Sequence, residues 1–365
     1  MELINATRMT AGYTMGLEPS GRELLVVVIK GTFALPKPGD PVRLHEQQVP
    51  LVMAETFSGE PGFSAPVHEV DFAPRKRACD VLLVGSAHAP AGHEVTRMSV
   101  GLRVGPMHKT CDVVGPRVWN AGARIAPSAP AHFTRLPISY DVAFGGVDRH
   151  PEDKAEHDAY GPNPVGRGWH KHLKAAWVDG SLLPSTEAPG EPVGFPTDRC
   201  APMAYGPLGR GWPQRARYAG TYDDRWLDEV FPFLPADFDE RYHQAAPEDQ
   251  QIALPTAPLD VELMGFTPDQ RRAFTLPHFD APVHVFPKRG EREDLMASLD
   301  TIVFEPDAER FTMTWRAARP LKKSLHEIAQ VLVGKKGREW WQQREEVAFP
   351  IPVVMVPMER KGAGS

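Results

Sequence analysis

The hydrophobic pattern of the N-terminal part of the chain is that of short β-strands. Residues 23–33 form a continuous apolar, β-branched run that ends in the turn-forming residues 35–40, and such a run predicts a strand covered on both faces. Residues 79–84, 96–104 and 109–114 predict further strands, and the second of these alternates as a half-buried strand does. Strands at a spacing of about ten residues indicate an antiparallel sandwich or barrel-like sheet over residues 1–148.

The middle of the chain, residues 149–260, loses this periodicity. Proline and glycine interrupt it too often for long helices or central strands. A loop-dominated region of this length is either disordered or functional. It contains four tryptophans, whose side chains must be buried or must contact a partner, so we expect an ordered segment wrapped over the β core. These are Trp169, Trp177, Trp212 and Trp226.

The C-terminal part, residues 261–365, becomes regular again. Residues 281–286, 299–304 and 311–315 predict strands. Residues 322–333 have apolar side chains at helical spacing between Ser324, a candidate N-cap, and Gly334, and they predict a short helix. Residues 337–347 predict a second short helix and residues 350–356 a last strand.

Together these patterns predict a mainly β fold. We expect antiparallel, sandwich-like sheets, a long ordered Pro/Gly-rich irregular segment and one or two short C-terminal helices. The two terminal regions are expected to contribute to one sheet system, because the helix at 322–333 is too short to be stable without a core to pack on. The three regions then form one compact unit.

Composition narrows the possible classes of protein. The 365 residues include 38 prolines and 31 glycines, which disfavours a helical bundle, a coiled coil or a TIM barrel. No apolar run approaches the ~20 residues of a membrane-spanning helix, and residues 1–5 lack the basic start of a secretory signal. The three cysteines contain no Cys-x-x-Cys pair, so neither a disulfide framework nor a zinc knuckle is indicated. We expect a reduced, cytoplasmic protein.

Charge is concentrated in one stretch. The net charge is −6, which is of the wrong sign for binding nucleic acid. Residues 221–250, here called the acidic segment, contain nine acidic residues and two arginines, a local charge of −7. The acidic segment also holds six aromatic residues: Tyr222, Trp226, Phe231, Phe233, Phe238 and Tyr242.

Known catalytic and cofactor motifs are incomplete in this chain. His326-Glu327 lies on the predicted helix, but Gln330 occupies the position where a zinc protease has its second histidine. No serine has the Gly-x-Ser-x-Gly setting, and Gly166 and Gly168 lack the third glycine of a phosphate loop. Four histidines, His150, His157, His170 and His172, have no regular ligand spacing. We therefore expect neither a cofactor nor a metal.

The carboxylates of the acidic segment allow three interpretations. Asp223, Asp224, Asp237 and Asp239 could cap turns in a loop-rich stretch. They could form the rim of a protein interface whose anchors are the aromatic rings. Paired acids beside flat rings are also what a sugar-cleaving site needs, so a carbohydrate-active hydrolase is the alternative.

A set of short motifs follows a fixed order along the chain: Lys30-Gly31-Thr32-Phe33, Glu46-Gln47, residues 114–119, Phe144-Gly145-Gly146, residues 163–168, residues 183–187, Tyr205-Gly206-Pro207-Leu208, Gly220-Thr221-Tyr222-Asp223, residues 234–239 and residues 245–251. This ordered set resembles domain-of-unknown-function family 2169. The motifs cover most of the chain. No catalytic residues come with the resemblance.

Members of that family accompany bacterial type VI secretion genes, beside toxic effectors and PAAR-type proteins of the spike tip. The resemblance implies a cytoplasmic chaperone or adaptor that binds an effector or a tip protein and aids its loading onto the trimeric spike. We expect the partner to contact the acidic segment, and neither nucleic acid nor a membrane to be a partner. The predicted contact residues are Tyr222, Trp226, Asp228, Glu229, Phe231, Phe233, Asp237, Phe238 and Asp239.

Overall fold

The computed structural model of the protein describes residues 1–342, and strands dominate it. In chain order the strands are β1 Glu2–Asn5, β2 Thr10–Leu17, β3 Glu23–Ala34, β4 Arg43–Leu44, β5 Thr56–Phe57, β6 Pro66–His68, β7 Cys79–Leu83, β8 Gly85–His88, β9 Arg97–Val104, β10 Met107–Val114, β11 Trp119–Ala121, β12 Ile125–Pro127, β13 Arg135–Ile138, β14 Phe144–Gly145, β15 Val147–Asp148, β16 Asp158–Ala159, β17 Arg167–Gly168, β18 Thr186–Glu187, β19 Gln251–Ile252, β20 Leu259–Met264, β21 Arg271–Leu276, β22 Pro282–Pro287, β23 Glu293–Met296, β24 Ser298–Glu305, β25 Arg310–Pro320 and β26 Ile328–Val333.

The helices are short. Three α-helices lie before β26: α1 Ala175–Val178, α2 Pro213–Ala216 and α3 Asp224–Glu229. The 3-10 helices are Pro90–Gly92, Tyr140–Val142, Lys154–Glu156, Glu240–His243, Glu248–Gln250, Pro306–Ala308 and Leu325–Glu327. Within residues 1–342, no helix has both the length and the apolar character that a membrane crossing requires.

Three sheets make up the body of the fold. A seven-stranded sheet has the order β19-β7-β24-β25-β3-β2, with β4 paired to β3. A five-stranded sheet has the order β18-β10-β9-β20-β21, and a four-stranded sheet has the order β1-β26-β22-β23. Most neighbours are antiparallel, and β24–β7 and β1–β26 are parallel. The prediction of a mainly β fold with antiparallel sheets is confirmed.

Strands from both ends of the chain lie side by side. β3 pairs antiparallel with β25 from Leu24 opposite Pro320 to Ala34 opposite Arg310. β7 pairs parallel with β24, and β1 pairs parallel with β26. The expectation that the two terminal regions contribute to one sheet system is therefore confirmed.

One face of the seven-stranded sheet packs against the other two sheets. Val27, Ile29 and Phe33 of β3 enter a common apolar core with Leu102 of β9 and Val283 of β22. The opposite face of β3 is also buried, because Leu51 and Phe72 pack on Leu24, Val26 and Val28. The continuous apolar run at 23–33 is thus explained by a strand covered on both faces, as predicted.

Further along, that opposite face of the sheet is polar and still buried. Lys30 Nζ lies 2.8 Å from Asp71 Oδ2, and Arg316 is paired with Asp300. The deepest pair is Lys76 and Asp80, with Nζ and Oδ2 2.6 Å apart and both side chains almost fully enclosed. Charges removed from water in this way are stable only when paired and hydrogen-bonded.

Polar anchors hold the irregular middle region on the sheets. Asp80 Oδ1 accepts a hydrogen bond from Gln244 Nε2 at 2.8 Å, and Asp80 Oδ2 accepts one from the backbone N–H of Ala245 at 2.8 Å. Gln250 Nε2 donates to the carbonyls of Val81 and Tyr205. Ordered contacts between residues so distant in sequence agree with the expectation of an ordered wrap.

A second anchor is the carboxylate of Glu187, which is fully buried. It accepts hydrogen bonds from Arg117 at 2.7 Å, from Arg97 at 2.6 Å and from the N–H of Val193 at 3.0 Å. The indole of Trp119 donates to the carbonyl of Gly168 at 2.9 Å. These contacts fix Gly168, Glu187 and Val193 beside the edge of the five-stranded sheet.

The predicted helix at 322–333 is wrong. Leu325–Glu327 is a single 3-10 turn, and Ile328–Val333 is β26, which lies between β1 and β22. Five of its six residues are buried, since the strand is covered on both faces, and a continuous apolar run of this kind also satisfies helical spacing. Ile and Val favour the extended form, and pairing on both sides decides the outcome.

Little of the chain beyond β26 is described. Residues 338–342 are helical, which agrees with the start of the helix predicted at 337–347. The remainder of that helix and the strand predicted at 350–356 lie outside the described residues.

We predict that Asp80→Asn destabilises the fold strongly. The substitution leaves the Lys76 ammonium buried without its counter-charge, and breaking a buried pair in this way costs about 3–5 kcal/mol. Urea denaturation measures the loss of unfolding free energy. Asp40→Asn, at an exposed turn residue, is the matched control and should leave it within about 0.5 kcal/mol. Equal stabilities of the two variants would contradict the prediction.

Candidate partner-binding surface

The base of the acidic segment is held by a buried arginine. Arg215, in α2, donates from Nη1 to the carbonyl of Leu208 at 2.8 Å and to Glu69 Oε2 at 2.5 Å. Its Nη2 donates to the carbonyl of Tyr242 at 3.0 Å. Arg215 thus connects α2, the 3-10 turn at Glu240–His243 and Glu69. The chain between residues 217 and 240 begins and ends next to these contacts.

From that base the chain forms a small projection that is ordered by its own contacts. Asp223 caps α3, because its Oδ1 accepts the N–H of Trp226 at 2.8 Å. After the helix the chain returns, and Trp226 Nε1 donates to the carbonyl of Phe233 at 2.9 Å. The Trp226 ring meets Tyr222 and Phe231 edge-on, with centroids 4.7 and 5.6 Å apart. Trp226 is therefore the half-buried centre of a three-ring cluster.

The projection exposes large apolar side chains to solvent. Phe231 is 62% exposed, Leu227 56%, Tyr222 54% and Phe233 47%. These four residues are called the aromatic surface below. The same stretch of chain also exposes four acidic side chains, Asp224, Asp228, Glu229 and Asp237, which are called the rim below. An apolar patch with a charged rim on an ordered scaffold is the usual composition of a protein-binding surface.

The predicted contact residues divide into two groups. Tyr222, Trp226, Phe231 and Phe233 come together on the projection, with Asp228 and Glu229 on α3 and Asp237 accepting two hydrogen bonds from Thr221. Phe238 and Asp239 do not join this cluster. Phe238 packs on His243, with centroids 5.5 Å apart, and Asp239 pairs with Arg241.

Leu227 is a residue that the sequence pattern did not single out. It lies on α3 among charged residues, and its exposure depends on which side of a six-residue helix faces the solvent. The available signal was a leucine in a helix with too few apolar neighbours to bury it.

Three carboxylates considered for catalysis accept hydrogen bonds from neighbouring residues of the chain. Hydrogen bonds from Thr221 lower the pKa of Asp237, and those from Arg241 lower the pKa of Asp239 to about 2. A general acid of a glycosidase needs a raised pKa, so these two shifts run in the opposite direction. Asp223 is engaged as the cap of α3. The capping interpretation thus describes Asp223, and Asp237 and Asp239 serve local hydrogen bonds.

The four histidines considered as ligands have other roles. His150 stacks on Trp177, with centroids 5.7 Å apart, and His170 Nε2 lies 2.9 Å from Ser181 Oγ. His172 Nδ1 lies 3.1 Å from Asp148 Oδ2, and His157 Nε2 is hydrogen-bonded to the carbonyl oxygen of Pro151. Across residues 1–342 no cluster of three or more His, Cys, Asp or Glu side chains is arranged to bind a metal.

We predict that His243 makes the fold less stable in mild acid. Burial, with the nearby cations Lys76, Arg210 and Arg215, lowers the pKa of His243 to about 4, against about 6.5 in an unfolded chain. The neutral ring contributes stability that is fully present above pH ~6.5 and is lost as the pH falls towards 4. Protonation of this ring changes the free energy of unfolding by at most about 1.4 kcal/mol per pH unit.

Urea unfolding at pH 7 and pH 5 measures this effect. The wild-type protein should lose more unfolding free energy over that interval than His243→Gln does, because the variant lacks the titrating ring. Equal losses in the two proteins would contradict the assignment.

A sequence profile described as "Uncharacterized protein conserved in bacteria (DUF2169)" matches residues 20–316. No curated protein and no solved structure matches the chain significantly. The matched residues include β3, β7, β24 and most of β25, the buried anchors Asp80 and Glu187, and the whole of the projection. Since the match extends over most of its length, the protein belongs to the bacterial family DUF2169.

Proposed function

We propose that this protein is a cytoplasmic chaperone or adaptor of type VI secretion. In this proposal it binds an effector or a PAAR-type tip protein and aids its loading onto the spike. The secretion context is what the resemblance to the family implies. The single observation that supports a binding role is the aromatic surface, which exposes four large apolar side chains on an ordered projection.

The order of the projection before any partner arrives favours binding. Its rings are positioned by the Asp223 cap, by the Trp226–Phe233 hydrogen bond and by the ring contacts of Trp226. Ordering a flexible loop on association costs about 0.5–1.5 kcal/mol for each immobilised side chain. Because these side chains are already placed, less of the free energy gained by covering their apolar area is offset by ordering them.

Charge supports a basic partner. The rim of the aromatic surface carries Asp224, Asp228, Glu229 and Asp237 against Arg225, and Glu229 already pairs with Arg225 at 3.0 Å. Carboxylates at a rim mainly raise the association rate of an oppositely charged partner and suppress wrong ones. We therefore expect the partner to present lysine or arginine around an apolar patch.

Co-expression with the product of the neighbouring effector or tip gene tests the function. The partner should copurify with this protein, and its soluble yield should rise when the two are produced together. Release of sugar from peptidoglycan or a polysaccharide by the protein alone, with no copurifying partner, would instead support the hydrolase alternative.

We predict that truncating the exposed rings weakens binding without unfolding the protein. Phe231→Ala and Tyr222→Ala should each raise the Kd at least about thirtyfold, because a central aromatic anchor contributes about 2 kcal/mol or more. Phe233→Ala should act in the same direction. Calorimetric titration and a thermal melt on the same samples separate lost affinity from lost fold.

Trp226→Ala is the informative comparison. Its ring is the centre of the cluster, so this variant should lower the melting temperature as well as the affinity. If the Phe231→Ala and Tyr222→Ala variants stay folded and bind as wild type does, the partner binds elsewhere. The basic residues Lys322, Lys323, Lys335 and Lys336 are then the next candidates.

We predict a kinetic effect for the rim. Asp228→Asn with Glu229→Gln should slow association and flatten its dependence on salt, while the dissociation rate changes little. Stopped-flow or surface-based kinetics at two salt concentrations measures this. The matched control is Asp40→Asn with Glu60→Gln, which removes the same charge at exposed positions elsewhere. Identical association rates for the two double variants would contradict a role of the rim in steering.

A further inference from the structure

The outermost strand of the seven-stranded sheet has an unused edge. β2 pairs with β3 along its whole length, from Thr10 opposite Lys30 to Leu17 opposite Glu23, without a register shift. No other strand within residues 1–342 pairs with its second side. An edge strand presents outward-facing N–H and C=O groups on alternate residues, so about half of these eight residues offer a free pair.

The edge of β2 lacks the features that normally prevent strand addition. It contains no charged residue, no proline and no bulge (sequence TAGYTMGL). The other sheet edges are protected: β21 begins with Arg271 and Arg272, and β23 begins with Glu293 and Asp294. The remaining edges of the three large sheets, as far as residues 1–342 show, are short, with four residues in β1 and two each in β18 and β19. Short or charged edges are the usual protection against pairing with another chain.

The two faces of β2 differ in what they can accept. On one face, Tyr13 and Met15 are 36% and 52% exposed and stand beside the buried Val27 and Leu25 of β3. On the other face the chain covers the strand closely, since a Cβ on Gly12 would lie 2.6 Å from Leu51 Cδ1. A strand added to this edge would therefore find open, apolar neighbours for its alternate side chains on the Tyr13 and Met15 face.

The edge is continuous with the aromatic surface. Gly21, in the turn between β2 and β3, lies under the ring of Phe233, and a Cβ there would be 2.9 Å from that ring. The turn that follows β2 is therefore in contact with the projection.

We propose that the edge of β2 receives an extended, uncharged segment of the partner polypeptide as an additional strand, with apolar side chains alternating against Tyr13 and Met15. This inference rests on the proposed function, since it assigns a second contact to the same partner. Main-chain hydrogen bonds would supply affinity, and the alternation would supply selectivity.

A second copy of the chain fits this edge less well. Eight residues span about 27 Å, and with a sheet thickness of about 10 Å the edge buries about 270 Å² per partner, against the ~800 Å² of a stable interface. Two β2 strands paired antiparallel would also place the aromatic surfaces at opposite ends of the contact, where neither is covered. A flexible segment of the partner that continues from β2 onto Phe233 would cover both the edge of β2 and the aromatic surface.

Hydrogen exchange with a defined probe tests the edge without the natural partner. The probe is a short synthetic peptide of alternating valine and threonine, and the control peptide has proline at its centre. In the free protein, about four amides of residues 10–17 should exchange rapidly, because alternate N–H groups face outward. The probe at millimolar concentration should protect them, and the proline peptide should not.

Three results would overturn the proposal. Protection of all amides of 10–17 in the free chain at every concentration would mean that the chain itself covers the edge. Protection that appears only as the concentration of the chain rises would identify a second copy as the occupant. Absence of protection at saturating probe would mean that the edge does not accept a strand.

A variant tests whether the natural partner uses this edge. Met15→Lys introduces the charge that other edges carry and should weaken binding of the copurified partner at least tenfold, with an unchanged melting temperature. Met296→Lys, at an exposed methionine of β23, is the matched control and should bind as wild type. Equal affinities would overturn the proposal. If no partner copurifies at all, the proposed function is wrong. The probe peptide still tests, independently, whether the edge of β2 accepts an additional strand.

Discussion

The buried carboxylate of Asp80 is the group on which the placement of the middle region depends. It lies in β7, inside the seven-stranded sheet, and binds Lys76, Gln244 and the N–H of Ala245 at once. An enclosed charge is stable only with such partners, so the residues that satisfy it are held in place. Gln244 and Ala245 follow the projection in the chain, and Arg215, which precedes it, is fixed by Glu69 and the carbonyl of Tyr242. The projection between them is therefore presented from two fixed points on the sheet.

Local pattern predicted the strands whose environment is uniform along the chain. β3, β9 and β25 follow this rule, because periodicity reports burial on one or both faces. It failed at β26, where helical spacing and a doubly covered strand give the same apolar positions and only pairing with β1 and β22 distinguishes them. The middle region could be predicted as ordered, but not its path, because its order comes from contacts such as Asp80–Gln244, between residues 164 positions apart.

Composition singled out the acidic segment, but it could not show which of its rings are exposed. The charge and aromatic content of the acidic segment indicated where a partner could bind. Which rings reach the solvent depends on the Trp226–Phe233 hydrogen bond and on packing at His243, and neither is visible in the sequence. Trp226 and Phe238 are consequently half-buried, Leu227 is exposed, and the uncharged edge of β2 adjoins the same surface through Gly21 and Phe233.

The central claim is that a partner polypeptide binds the aromatic surface of the projection. A hydrogen-exchange footprint of the whole chain, measured alone and in complex with the copurified effector or tip protein, tests it most directly. The account predicts new protection concentrated in residues 221–233 and extending to residues 10–17. Protection confined to other parts of the chain, such as the basic residues near Lys322 and Lys335, with residues 221–233 unchanged, would contradict it.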